Sequence, residues 1–160
     1  SLPLKLLKAR ESVMERFRPH LAAHDLTEHQ WRVLRALAEA DVVEMRTLAN
    51  RAALLMPSLS RMLPDLEARG LITRRRGTDD ARTVAVGLAP KGRALFEAMS
   101  AESERIYREI EQTVGRPVIT QIMGDLDRLM KSLDSEPQTK SQVILPSSLE
   151  GEGSKSQCGE

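Results

Sequence analysis

Residues 57–88 indicate the fold most directly, because a helical pattern there passes into two short strands within a few residues. Apolar side chains recur at steps of three and four residues, as they do along the buried face of an amphipathic helix. This stripe consists of Leu59, Met62, Leu63 and Leu66. Pro57 suits the first turn of such a helix, and Gly70 suits the position just past its end. Pro64 predicts a local bend, since proline cannot donate the hydrogen bond of the helix interior.

Two strand-like runs, 71–76 and 82–88, follow this helix and flank the segment Gly77-Thr78-Asp79-Asp80-Ala81. Short runs joined by glycine and aspartate predict a β-hairpin. Val84, Val86 and Leu88 alternate along the second run, so one face of that strand is expected to be buried and the other exposed.

Two further helices are predicted at the start of the chain. Apolar residues over 4–24 recur at helical spacing, and Pro19 is expected to kink that helix or to end its first half. The second helix is expected to begin at Thr27, because Thr27 and Gln30 have the spacing of a capping box.

The remaining elements are also helical. A short helix is predicted over 44–54, and a long one begins at Pro90. A break at 115–117 precedes a last helix with a wide apolar band over 118–133. Polar residues dominate 135–160, which predicts a disordered tail.

In this order, the elements predict a mainly α-helical protein with a small β-hairpin, a winged helix-turn-helix. We expect an N-terminal dimerisation helix (1–30), a DNA-binding winged helix (31–89), C-terminal dimerisation helices (90–134) and the tail. The apolar band of the last helix is wider than so short a chain can cover, so a second copy is expected to cover it. The alternative is a larger monomeric core.

The net charge of +1 conceals an uneven distribution of charged residues. Residues 57–93 hold eight basic and four acidic side chains, whereas 94–133 hold five basic and seven acidic ones. The segment 134–160 holds two basic and five acidic ones. A basic middle beside acidic segments is typical of a localised anion-binding surface, although clustered solvated arginines would give the same pattern.

The amphipathic helix and the hairpin together predict binding to double-stranded DNA. The apolar stripe buries one face and leaves Ser58, Ser60 and Arg61 for a major groove. Pro57 marks the helix N-terminus, which favours a phosphate. The hairpin offers further cations to the minor groove or the DNA backbone. These are Arg74, Arg75, Arg76 and Arg82. Their alternative role is that of a charged strand edge that deters aggregation.

Several other classes of function are disfavoured. Cys158 is the only cysteine, and His20 and His24, spaced four residues apart, lack the further ligands that a metal site needs. No phosphate-binding glycine loop and no catalytic triad pattern appear, so we expect neither an enzyme nor a cofactor. No secretory leader and no membrane-spanning run are visible, which favours a cytoplasmic protein.

Three segments resemble the MarR family of bacterial transcription regulators. Residues 26–34 (LTEHQWRVL) resemble the family's entry into its second helix, and 66–72 (LEARGLI) resemble the exit from its recognition helix. Asp80-Ala81-Arg82, followed by 88–92 (LAPKG), resembles its wing and the joint to the next helix. The resemblance covers about residues 4–133, and Pro64 departs from it because a polar helix former is usual there.

Within the family, residues 6–11 and Phe17-Arg18-Pro19 are similar to the subgroup that regulates homoprotocatechuate (4-hydroxyphenylacetate) degradation. The resemblance implies a homodimer whose N- and C-terminal helices interlace, and whose recognition helices meet successive major grooves of a pseudo-palindromic operator. It implies a repressor of an aromatic-acid catabolic operon, relieved by a phenolic or aromatic carboxylate. The alternative function is a winged helix that serves protein–protein contact or dimerisation without binding DNA.

The resemblance also implies an effector site between the dimer helices and the DNA-binding lobe. Such a site pairs a cation for a carboxylate with an apolar slot for a ring. We expect Arg10 to bind the carboxylate with support from Arg16, and Met14, Phe17 and Trp31 to line the slot. The alternative is that the three apolar residues are plain core and that Arg10 forms a salt bridge in the dimer.

Overall fold

The computed structural model describes residues 1–77 and 79–136 and has the element order of a winged helix-turn-helix. Its helices and strands are, in chain order, α1 (Leu2–Ala23), α2 (Glu28–Ala38), β1 (Val43–Glu44), α3 (Met45–Arg51), α4 (Met56–Ala68), β2 (Ile72–Arg76), β3 (Val84–Leu88), α5 (Pro90–Val114) and α6 (Arg116–Ser135). Ser1–Ile119 form one compact unit, and a second begins at Thr120, within α6. The predicted division by role into 1–30, 31–89 and 90–134 stays a prediction.

The predicted hairpin is part of a three-stranded antiparallel sheet in the order β1-β3-β2. Val86 lies opposite Val43 of β1 on one side and opposite Arg74 of β2 on the other. The sequence pattern missed β1 and assigned Glu44 to a helix. A strand of two residues has no internal period, so it exists only through pairing with β3.

The start of α2 follows the predicted capping box. Thr27 Oγ1 accepts a hydrogen bond from the Gln30 amide, and Gln30 Oε1 accepts one from the Thr27 amide, each at 3.1 Å. These two bonds satisfy amides that the first turn of a helix leaves without partners.

The first helix continues past Pro19, the residue that was predicted to kink it or to end its first half. α1 runs from Leu2 to Ala23 with Pro19 inside it, so the proline does not end the helix. Phe17 and Leu21, on either side of Pro19, are both buried. Their packing holds the helix in place although one backbone hydrogen bond is missing.

The stripe of α4 faces the core as predicted. Leu59, Leu63 and Leu66 are fully buried, and Met62 packs against the same core while partly exposed. α4 continues through Pro64, and Gly70 follows its end with a φ of +73°, a conformation in which glycine avoids strain.

The sheet meets α5 at a close backbone contact. A Cβ on Gly92, in the first turn of α5, would lie 2.0 Å from the Leu71 carbonyl oxygen. That oxygen also accepts a hydrogen bond from the Ala89 amide at 3.0 Å. Glycine at this position therefore allows α5 to start directly against the entry to β2.

Apolar side chains are exposed on two helices. In α1, Leu2, Leu4 and Leu7 are at least half exposed. Along α6 none of the residues is buried, and Ile122, Met123 and Leu133 are exposed. Across 1–77 and 79–136, none of the helices is both long and apolar enough to cross a membrane. The predicted disordered tail begins at residue 135; α6 reaches Ser135, and residues 137–160 lie outside the described residues.

Candidate nucleic-acid interface and aromatic pocket

The N-terminal end of α4 presents a polar face opposite its buried stripe. Pro57, Ser60 and Arg61 are exposed, and Ser58 is half-buried. Arg61 Nε donates to the Pro57 carbonyl oxygen at 3.2 Å, which orients the guanidinium along the first turn. Leu55, the N-cap residue, offers no side-chain acceptor to the first amides of the helix. An uncapped helix N-terminus beside a cation is suited to a phosphate group.

One arginine of the β2–β3 wing is bound to α4. Arg74 donates to Glu67 from Nε at 3.2 Å and from a terminal nitrogen at 3.1 Å. This bidentate bond lowers the pKa of the Glu67 carboxyl and raises the pKa of Arg74. Arg74 thus connects the wing to α4, although the sequence pattern grouped it with the cations that contact DNA.

The other three predicted wing cations are exposed. Arg75 and Arg76 end β2, and Arg82 lies beyond the turn with 94% of its side chain exposed. Asp80 Oδ1 accepts from the Arg82 amide at 2.9 Å and from its guanidinium at 3.4 Å. A surface contact of that length is weak, so Arg82 can turn to another anion at little cost.

A cleft of about 490 Å³ joins the start of α3, the start of α4 and the wing. Arg46 of α3 and Arg82 of the wing both line it, together with Met56. The sequence pattern did not single out Arg46. The residues around Arg46 in the sequence form no motif that indicates DNA contact, and only the fold brings Arg46 beside the predicted interface.

An aromatic pocket of about 320 Å³ lies between α2 and α5. Trp31 stacks on Phe96 with ring centroids 5.1 Å apart, and Tyr107 packs on Phe17 at 4.8 Å. Arg35 lies 5.9 Å from the centre of the Tyr107 ring, and its terminal nitrogen is 3.5 Å from the Tyr107 hydroxyl. The lining is completed by Ala38, Glu39, Ser100, Ser103 and Glu104.

The structure separates the residues predicted to bind an effector. Trp31 lines the aromatic pocket, and Phe17 is buried behind Tyr107. Met14 is half-buried against the core. Arg10 and Arg16 are exposed on α1, roughly 120° apart around the helix because they are six residues apart. The pattern missed Arg35, although it lies one helical turn after Trp31 on α2. It also missed Phe96 and Tyr107, which no local spacing connects to Trp31.

Arg10 belongs to a group of ion pairs between α1 and α2. Glu28 accepts hydrogen bonds from Arg10 at 2.6 Å and from Arg18 at 2.7 Å. Glu11 bridges the same two arginines, at 3.1 and 2.5 Å. The bond from Arg10, followed by that from Arg18, holds the pKa of the Glu28 carboxyl below its ordinary value of 4.5, against the effect of burial.

Comparison with known proteins places this geometry in a family. The model of the MarR family matches residues 26–84. The homoprotocatechuate degradative operon repressor of Escherichia coli is 41% identical over 111 residues, which cover 69% of this chain and 75% of that repressor. The chain belongs to the MarR family.

Two solved structures of this family resemble the chain closely. NadR in complex with 4-hydroxyphenylacetate is 35% identical, with a TM-score of 0.76 over 84% of this chain and 98% of NadR. The transcriptional repressor CouR, bound to a 23-mer DNA duplex, is 27% identical, with a TM-score of 0.74 over 81% of this chain and 92% of CouR.

MarR membership confirms the predicted family and the winged helix-turn-helix fold, and with them a function in DNA-binding transcription regulation. CouR is a repressor bound to DNA, and NadR is bound to a small aromatic acid, so these two relatives have partners of the classes predicted for this chain. The relatives are regulators rather than enzymes. Over 1–77 and 79–136, no three His, Cys, Asp or Glu side chains are grouped as metal ligands.

Proposed function

We propose that this MarR protein is a cytoplasmic, non-enzymatic repressor of an aromatic-acid catabolic operon, released from DNA by a phenolic or aromatic carboxylate. The observation that carries the proposal is the uncapped, cationic end of α4 beside an arginine-bearing wing. The regulation of homoprotocatechuate degradation by the Escherichia coli relative supports the class of operon. The CouR–DNA complex supports the operator, and the NadR complex supports the effector.

On DNA, the end of α4 enters a major groove, with Ser58, Ser60 and Arg61 at the base edges and Pro57 near the backbone. Arg75, Arg76 and Arg82 follow the adjacent minor groove or its phosphates. Arg74 supports them indirectly by holding the wing to Glu67.

A second copy covers the exposed apolar residues of α1 and α6. A face such as that of α6, with Ile122 and Leu133 open to solvent, is stable in water only when a partner buries it. A two-fold dimer presents two α4 helices to two half-sites of a pseudo-palindromic operator.

The effector binds in the aromatic pocket, where Trp31, Phe96 and Tyr107 provide apolar walls and Arg35 provides the cation. Arg35 forms no salt bridge within 1–77 and 79–136, whereas Arg10 is bound to Glu28 and Glu11. Glu104, also at the pocket, is 3.8 Å from Arg108. Glu39, which also lines the pocket, forms no salt bridge with Arg35 either, so an effector carboxylate pairs with this guanidinium. Arg10, Arg16, Met14 and Phe17 stay the sequence-based alternative.

A salt series distinguishes this function from a protein-interaction module. Binding to DNA from upstream of the protein's own gene is measured between 50 and 200 mM salt. Displaced counterions predict that the affinity falls by at least about 100-fold over that range. A flat response at micromolar protein would favour the module.

Two variants test the effector site against its alternative. Arg35→Ala is expected to abolish the release of DNA by an aromatic carboxylate while operator binding without effector is retained. Arg10→Ala is expected to keep that release. If Arg10→Ala alone abolishes it, the site lies on α1 as the sequence pattern suggested, and the pocket assignment is wrong.

A further inference from the structure

A cleft of about 520 Å³ lies between α2 and the last residue of α3. Its lining, which we call the arginine cleft, consists of Arg32, Arg35, Ala36, Glu39 and Arg51. Arg35 and Glu39 also line the aromatic pocket, and their formal charges cancel. Arg32 and Arg51 line the cleft but not the aromatic pocket, so they give the cleft an excess of two positive charges.

Neither of these two arginines has a carboxylate partner within 1–77 and 79–136. Glu39, the acidic residue of the cleft, forms no salt bridge within those residues either. Elsewhere in the protein, Arg10, Arg18 and Arg74 are bound to carboxylates. Two unpaired cations beside one cavity repel each other, and an anion held between them turns that repulsion into attraction.

Arg32 is the better anchored of the two. It is half-buried, and its Nη1 donates to the Ala53 carbonyl oxygen at 3.1 Å. Its Nε is buried without any acceptor. Burial lowers the pKa of Arg32 below its ordinary value, which is the direction expected for a cation that has lost water. A charge in such surroundings is normally paired, so the missing counter-charge needs an explanation.

The second terminal nitrogen of Arg32 can supply one contact to that counter-charge. Nη2 has no acceptor within 1–77 and 79–136, and unlike Nε it is not buried. Because Nη1 is fixed on Ala53, the planar guanidinium is already oriented, and little side-chain freedom is lost when Nη2 binds an anion. The exposed Arg51 supplies a second, more mobile guanidinium from α3.

The charge and the number of donors favour a phosphate group over a carboxylate. A phosphate group carries between one and two negative charges at neutral pH and has three acceptor oxygens, so it can bind two guanidinium groups at once. A carboxylate has one charge, which a single guanidinium neutralises. The volume of about 520 Å³ lies within the range of small-molecule sites, so the cleft also has room for a group that carries the phosphate.

From this arrangement we propose that the arginine cleft binds a phosphate group, with Arg32 and Arg51 as its protein ligands. Free inorganic phosphate and the phosphate of a small ester share this chemistry. The proposal goes beyond the proposed function and does not depend on the effector, because neither arginine lines the aromatic pocket.

Calorimetric titration of the full-length protein at constant ionic strength provides the test. The probes are inorganic phosphate and ribose 5-phosphate. We expect the wild type to bind one phosphate group per chain with a Kd below about 1 mM, as two charge-assisted hydrogen bonds allow. Arg51→Gln should weaken this binding at least about tenfold, because one of those bonds is lost.

Arg93→Gln is the matched control, since Arg93 is exposed on α5 and does not line the cleft. It removes the same charge and should keep the wild-type affinity within about twofold, because distant surface charges are screened. Arg32→Lys retains the charge but loses the planar fork, and the affinity should fall several-fold. An unchanged affinity in folded Arg32→Lys protein would remove Arg32 from the site.

The outcomes separate a built site from a diffuse effect of charge. The proposal is overturned if the wild type shows no saturable binding, if Arg51→Gln binds as the wild type does, or if Arg51→Gln and Arg93→Gln lose affinity equally. A loss in Arg61→Gln but not in Arg51→Gln would place the ion at the DNA-binding face and also overturn it.

The two probes distinguish the sources of the phosphate. Tighter binding of ribose 5-phosphate assigns the cleft to a phosphorylated small molecule, and equal or weaker binding assigns it to the free ion. Either result supports the phosphate chemistry. Failure of the cleft leaves the effector site standing, because Arg32 and Arg51 have no part in it.

Discussion

Single arginine side chains divide into those that hold the fold together and those that remain open to anions. Arg10, Arg18 and Arg74 are bound to carboxylates of neighbouring elements. Arg61 and Arg75 are exposed and have no carboxylate partner within 1–77 and 79–136. A cation without a partner loses little when it moves onto a phosphate or a base edge, so the second group is the one expected to contact DNA.

Arg61 is expected to contribute directly to operator recognition. Arg61→Ala should weaken operator binding by about 1–3 kcal/mol if the side chain contacts a base edge. Electrophoretic mobility or anisotropy titrations check this, with scrambled DNA as the comparison. An equal loss on both DNAs would assign Arg61 to a phosphate. Arg108→Ala, on α5, serves as the control for the loss of one positive charge.

Glu28 is expected to stabilise the α1–α2 contact in a pH-dependent way. Its pKa is lowered in the folded protein, so its contribution is present above the ordinary value of 4.5 and is lost as the pH falls below it. Glu28→Gln should lower the free energy of unfolding by about 1 kcal/mol at pH 7. The difference from the wild type should shrink towards pH 3. Denaturant unfolding at several pH values measures this.

The exposed Glu15 of α1, which has no salt bridge within the described residues, provides the control for Glu28. Glu15→Gln should leave the free energy of unfolding unchanged at each pH. A difference for Glu28→Gln that persists at pH 3 would show that the effect comes from packing rather than from the ion pairs.

Among the elements, α4, the wing and α5 are joined by two short links. Glu67 of α4 binds Arg74 of β2, and the Leu71 carbonyl oxygen lies against Gly92 of α5. Both links lie on elements that border the predicted DNA-binding face. The orientation of the wing relative to α4 is therefore set by a salt bridge on one side and by backbone contact on the other.

Gly92→Ala is expected to disturb the second link. The added Cβ would lie 2.0 Å from a backbone oxygen, so α5 or the entry to β2 must move. We expect a loss of roughly 1–3 kcal/mol in the free energy of unfolding. Thermal or denaturant unfolding measures it, and Arg93→Ala, at the exposed neighbouring position, should be close to neutral. Wild-type stability of Gly92→Ala would mean that the contact is looser than described.

For the whole molecule, the apolar residues of α6 indicate that one chain is not the functional form. A helix of 20 residues without a buried side chain contributes little to the stability of its own chain. The same apolar side chains stabilise a dimer when a second copy covers them. An operator with two-fold symmetry requires two copies.

A charge on the apolar face of α6 is expected to weaken the dimer. Ile122 is 46% exposed in the single chain, and a glutamate there would be costly to bury against a partner. In sedimentation at micromolar protein, Ile122→Glu should shift the protein towards monomer and weaken operator binding with it. Gln121→Glu adds the same charge at the neighbouring exposed position and should remain dimeric. A monomeric wild type would contradict the proposal.

Much of the fold was predictable because it depends on residues close in sequence. The capping box of Thr27 and Gln30, the buried stripe of α4 and the glycine at its end are all encoded within one or two helical turns. Each interaction involves near neighbours, so the order of amino acids indicates it without knowledge of the rest of the chain.

Other features depend on which elements meet, and local patterns do not carry that information. β1 exists through Val43 pairing with Val86, and the wall of the aromatic pocket unites Trp31 and Arg35 with Tyr107, about seventy residues further on. Arg74 and Arg75 are neighbours in sequence, yet the fold binds Arg74 to Glu67, whereas Arg75 has no carboxylate partner within 1–77 and 79–136. The residue types and their spacing by themselves indicated a DNA-binding regulator. Tertiary packing decided which side chains are bound within the protein and which are free for a ligand. The reason is that hydrogen bonds and ion pairs form only between groups that the fold brings into contact.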